Sequence, residues 1–147
     1  MLQSSLSLPT VHQIRDQCLC LAAQRAARLL ARRFDRLFAP LGLTNGQFSM
    51  MVALSGQWQP RLGELAAFLA MDQATVSAAV KTLEKRGFVV LTADETDARI
   101  RRPALTQGGR AVLEKAVPLW QTEHAAVQAA LVGQDAVALA QVLGQLG

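Results

Sequence analysis

Residues able to do chemistry concentrate in two stretches of this chain. One is LGELAAFLAMDQATVSAAVKTLEKRG at 62–87. The other is ADETDARIRR at 93–102, where three arginines stand among Asp94, Glu95 and Asp97. In the first stretch, Val76, Val80 and Leu83 recur at helical spacing. Steps of about 100° per residue put Ala74, Ala78, Lys81 and Lys85 on the opposite face, with Thr75, Ser77 and Thr82 flanking it. That face is slim, made of small residues, and basic at one end. A slim helix face fits a DNA major groove. Its hydroxyls can bond base edges or phosphates, and its alanine methyls can touch thymine methyls. Asp72 reads as the cap of this helix, leaving its first amides open to a phosphate. In the second stretch, an arginine on an exposed turn can enter the narrow, electronegative minor groove, with Asp94 and Asp97 placed to hold it. The plainer alternatives are an amphipathic helix pair and a solvated hairpin whose surface ion pairs contribute little.

Other chemistry is poorly supplied. His12 and His124 are too few and too scattered for a catalytic arrangement. There is no Walker-type loop and no GxGxxG, and Gly108-Gly109 follow Thr106 as a tight helix start. His12, Cys18, Cys20 and His124 show no zinc spacing. We therefore expect no enzyme, no cofactor and no metal. Cys18 and Cys20 are two apart, so on one helix they would point about 160° away from each other and could not easily join. Either thiol becomes reactive only if a neighbouring cation such as Arg25 or Arg28 lowers its pKa; buried, inert cysteine is the commoner case.

The elements that must position these residues are mostly helical. A helix is expected from Pro9-Thr10 to about Ala39, with Ile14, Leu21, Leu29, Leu37 and Phe38 on its apolar side and Pro40 and Gly42 ending it; residues 1–9 lie outside it. Thr44 with Gln47 three residues on forms a capping box for a short helix carrying Phe48, Met51, Val52 and Leu54. Leu62, Leu65, Ala66 and Leu69 mark another, and Ala70-Met71-Asp72 the turn into the helix that ends at Gly87. The period then changes: 88–92 is β-rich, 94–97 a polar turn, and 100–105 a returning strand that Pro103 restricts to an edge or interrupts. Thr106 caps a long helix to about Leu131 with a kink at Pro118. Gly133 breaks it, and a short helix runs to about Leu146. Two short helices joined by a tight turn and followed by a hairpin describe a winged helix-turn-helix, mainly α with a small β-hairpin wing.

Composition agrees. The 147 residues carry 15 Lys and Arg against 11 Asp and Glu, a net charge of +4, and 51% are hydrophobic. Such a chain can bury a core and favours an anionic partner. Mean hydropathy is +0.21, high for a soluble monomer, yet no apolar run reaches the ~20 residues of a membrane span. The surplus apolar surface suits a subunit interface. No secretory signal is read at the start, and a reducing cytoplasm is the expected compartment.

Over roughly residues 12–131 the chain resembles the MarR family of transcriptional regulators. The resemblance rests on LGLTNGQFSMMVAL at 41–54, LGELAAFLAMDQATVSAAVKTLEKRGFV at 62–89 and DETDARIRRPALTQGGR at 94–110. The last resembles the family's wing signature, D-x-R-D-x-R followed by a strand and L-T-x-x-G. Asp94, Asp97 and Arg99 match it. Thr96 stands where the first arginine is usual, Ala78 where many members carry arginine, and Pro103 where a strand residue is typical.

The resemblance implies a homodimer on a pseudo-palindromic double-stranded operator, acting as a repressor. Gln73, Thr75, Ser77, Ala78 and Lys81 would face the major groove. Arg99 would enter the minor groove, Arg101 would lie by the backbone, and Asp97 would orient the wing. It implies one integrated domain: an arm and dimerisation helix at 1–40, a DNA-binding lobe at 41–105 and dimerisation helices at 106–147. Val112, Val117, Leu119, Trp120, Val127, Leu131, Leu139 and Val142 lie in those last helices, as interface or as intrachain core. A small aromatic or anionic effector would bind between the lobes, with Phe34, Phe38, Met50, Met51, Leu54 and Trp58 as pocket candidates or plain core. An alternative is thiol sensing. Cys20 falls where the organic-hydroperoxide branch of the family keeps its reactive cysteine, and Arg28 and Pro40 fit that branch, but Gln24 and Phe34 replace its supporting tyrosines. A further alternative is a winged helix that binds protein and not DNA.

Overall fold

The computed structural model describes residues 6–147. Two compact units are distinguished, one ending at Arg33 and one spanning Phe34–Gly147. The first unit holds α1 (Leu8–Gln17) and most of α2 (Leu19–Phe38). The expected single helix is therefore two. Ser7 caps α1, its side chain accepting from the Thr10 amide, with Pro9 in the first turn. Of residues 1–9, the first five lie outside the described residues. At Cys18 the backbone turns extended, and its Sγ accepts from the Leu21 amide at 3.4 Å, capping α2. Cys18 and Cys20 thus do not share a continuous helix, which corrects the helical geometry read between them.

The second unit follows the expected order. A 3₁₀ turn (Ala39–Leu41) leads to α3 (Asn45–Ala53), whose capping box forms: Gln47 N donates to Thr44 Oγ1 at 3.2 Å and Thr44 N to Gln47 Oε1 at 3.1 Å. Next come α4 (Leu62–Phe68), α5 (Gln73–Lys85), β1 (Val89–Ala93), β2 (Arg101–Leu105), α6 (Gln107–Ala130) and α7 (Ala136–Leu143), then a 3₁₀ turn at Gly144–Leu146. The hairpin pairs Val89 with Leu105 and Ala93 with Arg101. Pro103 pairs with Leu91 and does not interrupt the ladder, because in a two-stranded sheet its missing N–H can face outward. The α6 helix continues through Pro118.

The core is one cluster. Phe38 is fully buried and stacks on Phe48 with ring centroids 4.4 Å apart, and Met51, Leu65, Val76, Leu83 and Ala116 close around them. Val76, Val80 and Leu83, from one face of α5, are buried there, which leaves the other face outward.

Candidate nucleic-acid interface

The tight turn between α4 and α5 is a C-terminal cap made without glycine. Met71 N donates to Ala66 O at 2.9 Å and Ala70 N to Ala67 O at 3.1 Å, with Ala70 in the left-handed region at φ 52°. The same pattern ends α5, where Gly87 at φ 75° takes that position freely. Asp72 then caps α5, accepting from the Thr75 amide at 2.8 Å and from the Thr75 hydroxyl. Those bonds hold the Asp72 carboxyl below the usual carboxylate range. They also commit the Thr75 hydroxyl to the cap, so Thr75 presents its methyl and lone pairs, not a free donor. Gln73, Ala74, Ala78 and Lys81 are exposed, and Ser77 is half-buried. At the far end of α5, the Arg86 guanidinium bonds the Gly42 carbonyl and lies 4.6 Å from the centre of the Phe88 ring. The helix is held at both ends.

The wing is organised by two carboxylates. Asp94, with a side chain only 8% exposed, accepts from the Thr96 hydroxyl at 2.6 Å, the Thr96 and Asp97 amides, and the Arg102 guanidinium. The Thr96 hydroxyl and Arg102 hold its carboxyl well below the usual range. Asp97 accepts two bonds from the Arg99 guanidinium, both at 3.0 Å, and one from the Arg99 amide. Arg99 lowers the Asp97 pKa in turn. The Arg99 side chain is 91% exposed, so Asp97 aims a fully presented guanidinium. Arg101 lies back along the hairpin, donating to the Leu91 carbonyl at 3.3 Å.

Arg102 was not singled out from sequence. Its guanidinium bonds Asp94 and the Gln59 carbonyl and lies 3.9 Å from Glu64 of α4, locking the wing to the helix pair. The signal that could have found it is the hairpin register, which sets Arg102 one pair from the end, beside Asp94. At the base of the wing, the Thr106 hydroxyl donates to the Gly87 carbonyl and accepts from Gly109 N.

The structure brings Gln73, Arg99 and Arg101 around one cleft between α5 and the wing. Phe34, Phe38, Met50, Met51 and Leu54 are buried in the core, because aromatics and methionines at helical spacing fill it. Trp58 is exposed and sits edge-on to Phe68, with ring centroids 5.3 Å apart. A cavity of about 340 Å³ lies beside α6, lined by Ser55, Arg110, Leu113, Glu114, Val117 and Pro118. Both cysteines are free; Cys20 is exposed, and its Sγ accepts from Gln24 Nε2 at 3.2 Å, while Gln24 Oε1 accepts from Arg28 at 3.4 Å. Among the described residues, no three His, Cys, Asp or Glu side chains are grouped to hold a metal, and no helix is long and apolar enough to cross a membrane.

Residues 43–100 match the family model of the MarR family. A crystal structure of the Mycobacterium tuberculosis transcriptional regulator MosR in complex with DNA is 38% identical. It aligns over 88% of this chain and 93% of that one, with a TM-score of 0.78. Bordetella bronchiseptica BpsR, whose DNA binding is described as regulated by 6-hydroxynicotinic acid, is 26% identical over 88% of this chain and 93% of its own, with a TM-score of 0.77. The Bacillus subtilis HTH-type transcriptional regulator YybA is 30% identical over 60% of this chain, and the match spans 61% of its length. MosR and BpsR share the fold described above, and MosR and YybA are named as transcriptional regulators: the chain belongs to the MarR family of winged-helix transcriptional regulators.

Proposed function

We propose that this chain is a homodimeric repressor of a pseudo-palindromic DNA operator. The exposed face of α5 reads the major groove through Gln73, Thr75, Ser77, Ala78 and Lys81, and Arg99 enters the adjacent minor groove. The observation that carries the reading is the wing: Asp97 aims an exposed Arg99, while Asp94 and Arg102 lock the hairpin to α4. A solvated hairpin with no ligand needs no such buried anchor. MosR is a DNA-bound relative at 38% identity, which supports the partner. Anisotropy titration of the gene's upstream DNA tests it; affinity no greater than for random DNA would sink it.

A small aromatic acid releases the operator in this reading, as the BpsR effector suggests. Its site is the cavity beside α6. The volume of about 340 Å³ falls within the usual range for small-molecule sites; Leu113, Val117 and Pro118 offer an apolar wall, and Arg110, one turn from Glu114, supplies a cation for a carboxylate. Arg110→Ala abolishes release by aromatic carboxylates while leaving DNA binding in place. Equal release from both proteins would remove the cavity from the account.

A second reading is thiol sensing at Cys20, favoured by its exposure and by the Gln24 bond to its sulfur. Release of DNA by an organic hydroperoxide, lost in Cys20→Ser, would establish it over the ligand route.

A further inference from the structure

We propose that Arg61 binds a DNA phosphate, gripping the backbone strand that runs between the two grooves the protein reads. The inference rests on the DNA-binding reading and adds a residue that reading did not contain. A cleft of about 530 Å³ opens between the start of α4, the first turn of α5 and the wing, with three arginines, Arg61, Arg99 and Arg101, one acid, Glu64, and Gln73 on its walls. Gln73 opens the helix assigned to the major groove, and Arg99 tips the wing assigned to the minor groove. Neighbouring grooves of B-DNA are separated by a single sugar–phosphate strand. A duplex engaging both elements must therefore carry that strand across the cleft between them.

The walls suit a phosphate. Arg61 is exposed, and no ion-pair partner of its guanidinium is found among the described residues. Four acids lie near Arg61: Asp94 and Glu95 share a second hollow with it, and its charge also acts on Asp97. Asp94 is bonded by Arg102. Asp97 is held in two bonds by Arg99, and the Glu64 carboxylate accepts from the Arg61 backbone amide at 2.7 Å and lies 3.9 Å from Arg102. The Arg102 lock between wing and α4 sets the width of the gap. A guanidinium at this place can give a phosphate two parallel N–H bonds.

Counterion release provides the test, because each phosphate neutralised contributes about 0.9 to the slope of log affinity against log salt. Wild type, Arg61→Ala and Arg61→Lys are titrated by anisotropy on a random-sequence duplex and on the upstream DNA across a salt series. The alanine variant keeps the backbone bond to Glu64, and a thermal melt confirms its fold. We expect its slope to fall by about 0.9 for each subunit on the DNA, with the same fold-loss of affinity on both duplexes, and the lysine variant to keep the wild-type slope. An unchanged slope in Arg61→Ala, or a loss confined to upstream DNA, overturns the assignment while the DNA-binding reading stands. Wild-type protein that shows no salt-dependent binding at all brings down that reading and Arg61 with it.

Discussion

Arg99 and Asp97 are two residues apart in sequence and bonded in the structure, so the aimed arginine is a local device. Replacing Arg99 with alanine should lower affinity for upstream DNA at least about fivefold, the low end for one specific contact, with an unchanged melting temperature. Unchanged affinity would take Arg99 out of the interface. Asp94 makes a different prediction. Its folded-state pKa lies below that of an unfolded Asp, so its contribution to stability is complete above about pH 3.9 and is lost as pH falls from there toward the depressed value. The stability gap between wild type and Asp94→Asn, from denaturant melts, should be constant from pH 7 to about 5 and narrow below about 3.9. A gap that narrows already between pH 7 and 5 would contradict the Asp94 network. The Asp97–Arg99 pair was legible because both partners sit in one turn. Arg102 was not, because its partners at Gln59 and Glu64 are brought to it only by the fold. The spacing put Thr75 beside the outward face of its helix, but it did not show that the cap of that helix takes its hydroxyl.

Most element boundaries were legible because their caps are chemically explicit: Thr44 with Gln47, Asp72, Thr106, and Gly87 after α5. The break at Cys18 was not, because no glycine or proline marks it and a thiol is a weak cap. The turn between α4 and α5 carries an alanine where glycine is favoured. Ala70→Gly should therefore stabilise the protein by about 0.5–1 kcal/mol, since relief of left-handed strain outweighs the added freedom of the unfolded chain. A drop in the denaturation midpoint would contradict the strain argument. Gly109 makes the opposite prediction. A Cβ there would collide with the Phe88 carbonyl oxygen at the junction of wing and α6. Gly109→Ala should cost roughly 2–3 kcal/mol by overpacking, visible as a lowered urea midpoint. Pro103 shows how a restriction read from sequence is met: both strands of the wing are edges, so the ladder continues past it.

At the scale of the molecule, the apolar surplus read from composition is visible as open side chains. Ile14, Leu19 and Leu30 on the first two helices are exposed, as are Val137, Val142 and Leu143 on α7. Sequence alone could not divide buried from open positions in the C-terminal helices, because both sit at the same helical spacing. In the fold, Val112, Val117, Trp120 and Val127 pack against the core, while Leu119, Leu139 and Val142 stay open. We expect a dimer by light scattering. A Val142→Glu, Leu143→Glu double variant should sediment as a monomer and lose upstream-DNA affinity more steeply than affinity for a single half-site. Of the six pocket candidates, five are buried in the core of the single chain and Trp58 is exposed. The proposed reading of DNA by α5 and the wing together is tested most directly by anisotropy on the gene's upstream region, against random duplex, across a salt series. Tight, sequence-dependent binding with a steep salt slope, weakened by Arg99→Ala, is expected. Binding no stronger than to random DNA, on this and on other genomic fragments, would contradict it and leave a winged helix whose partner is a protein.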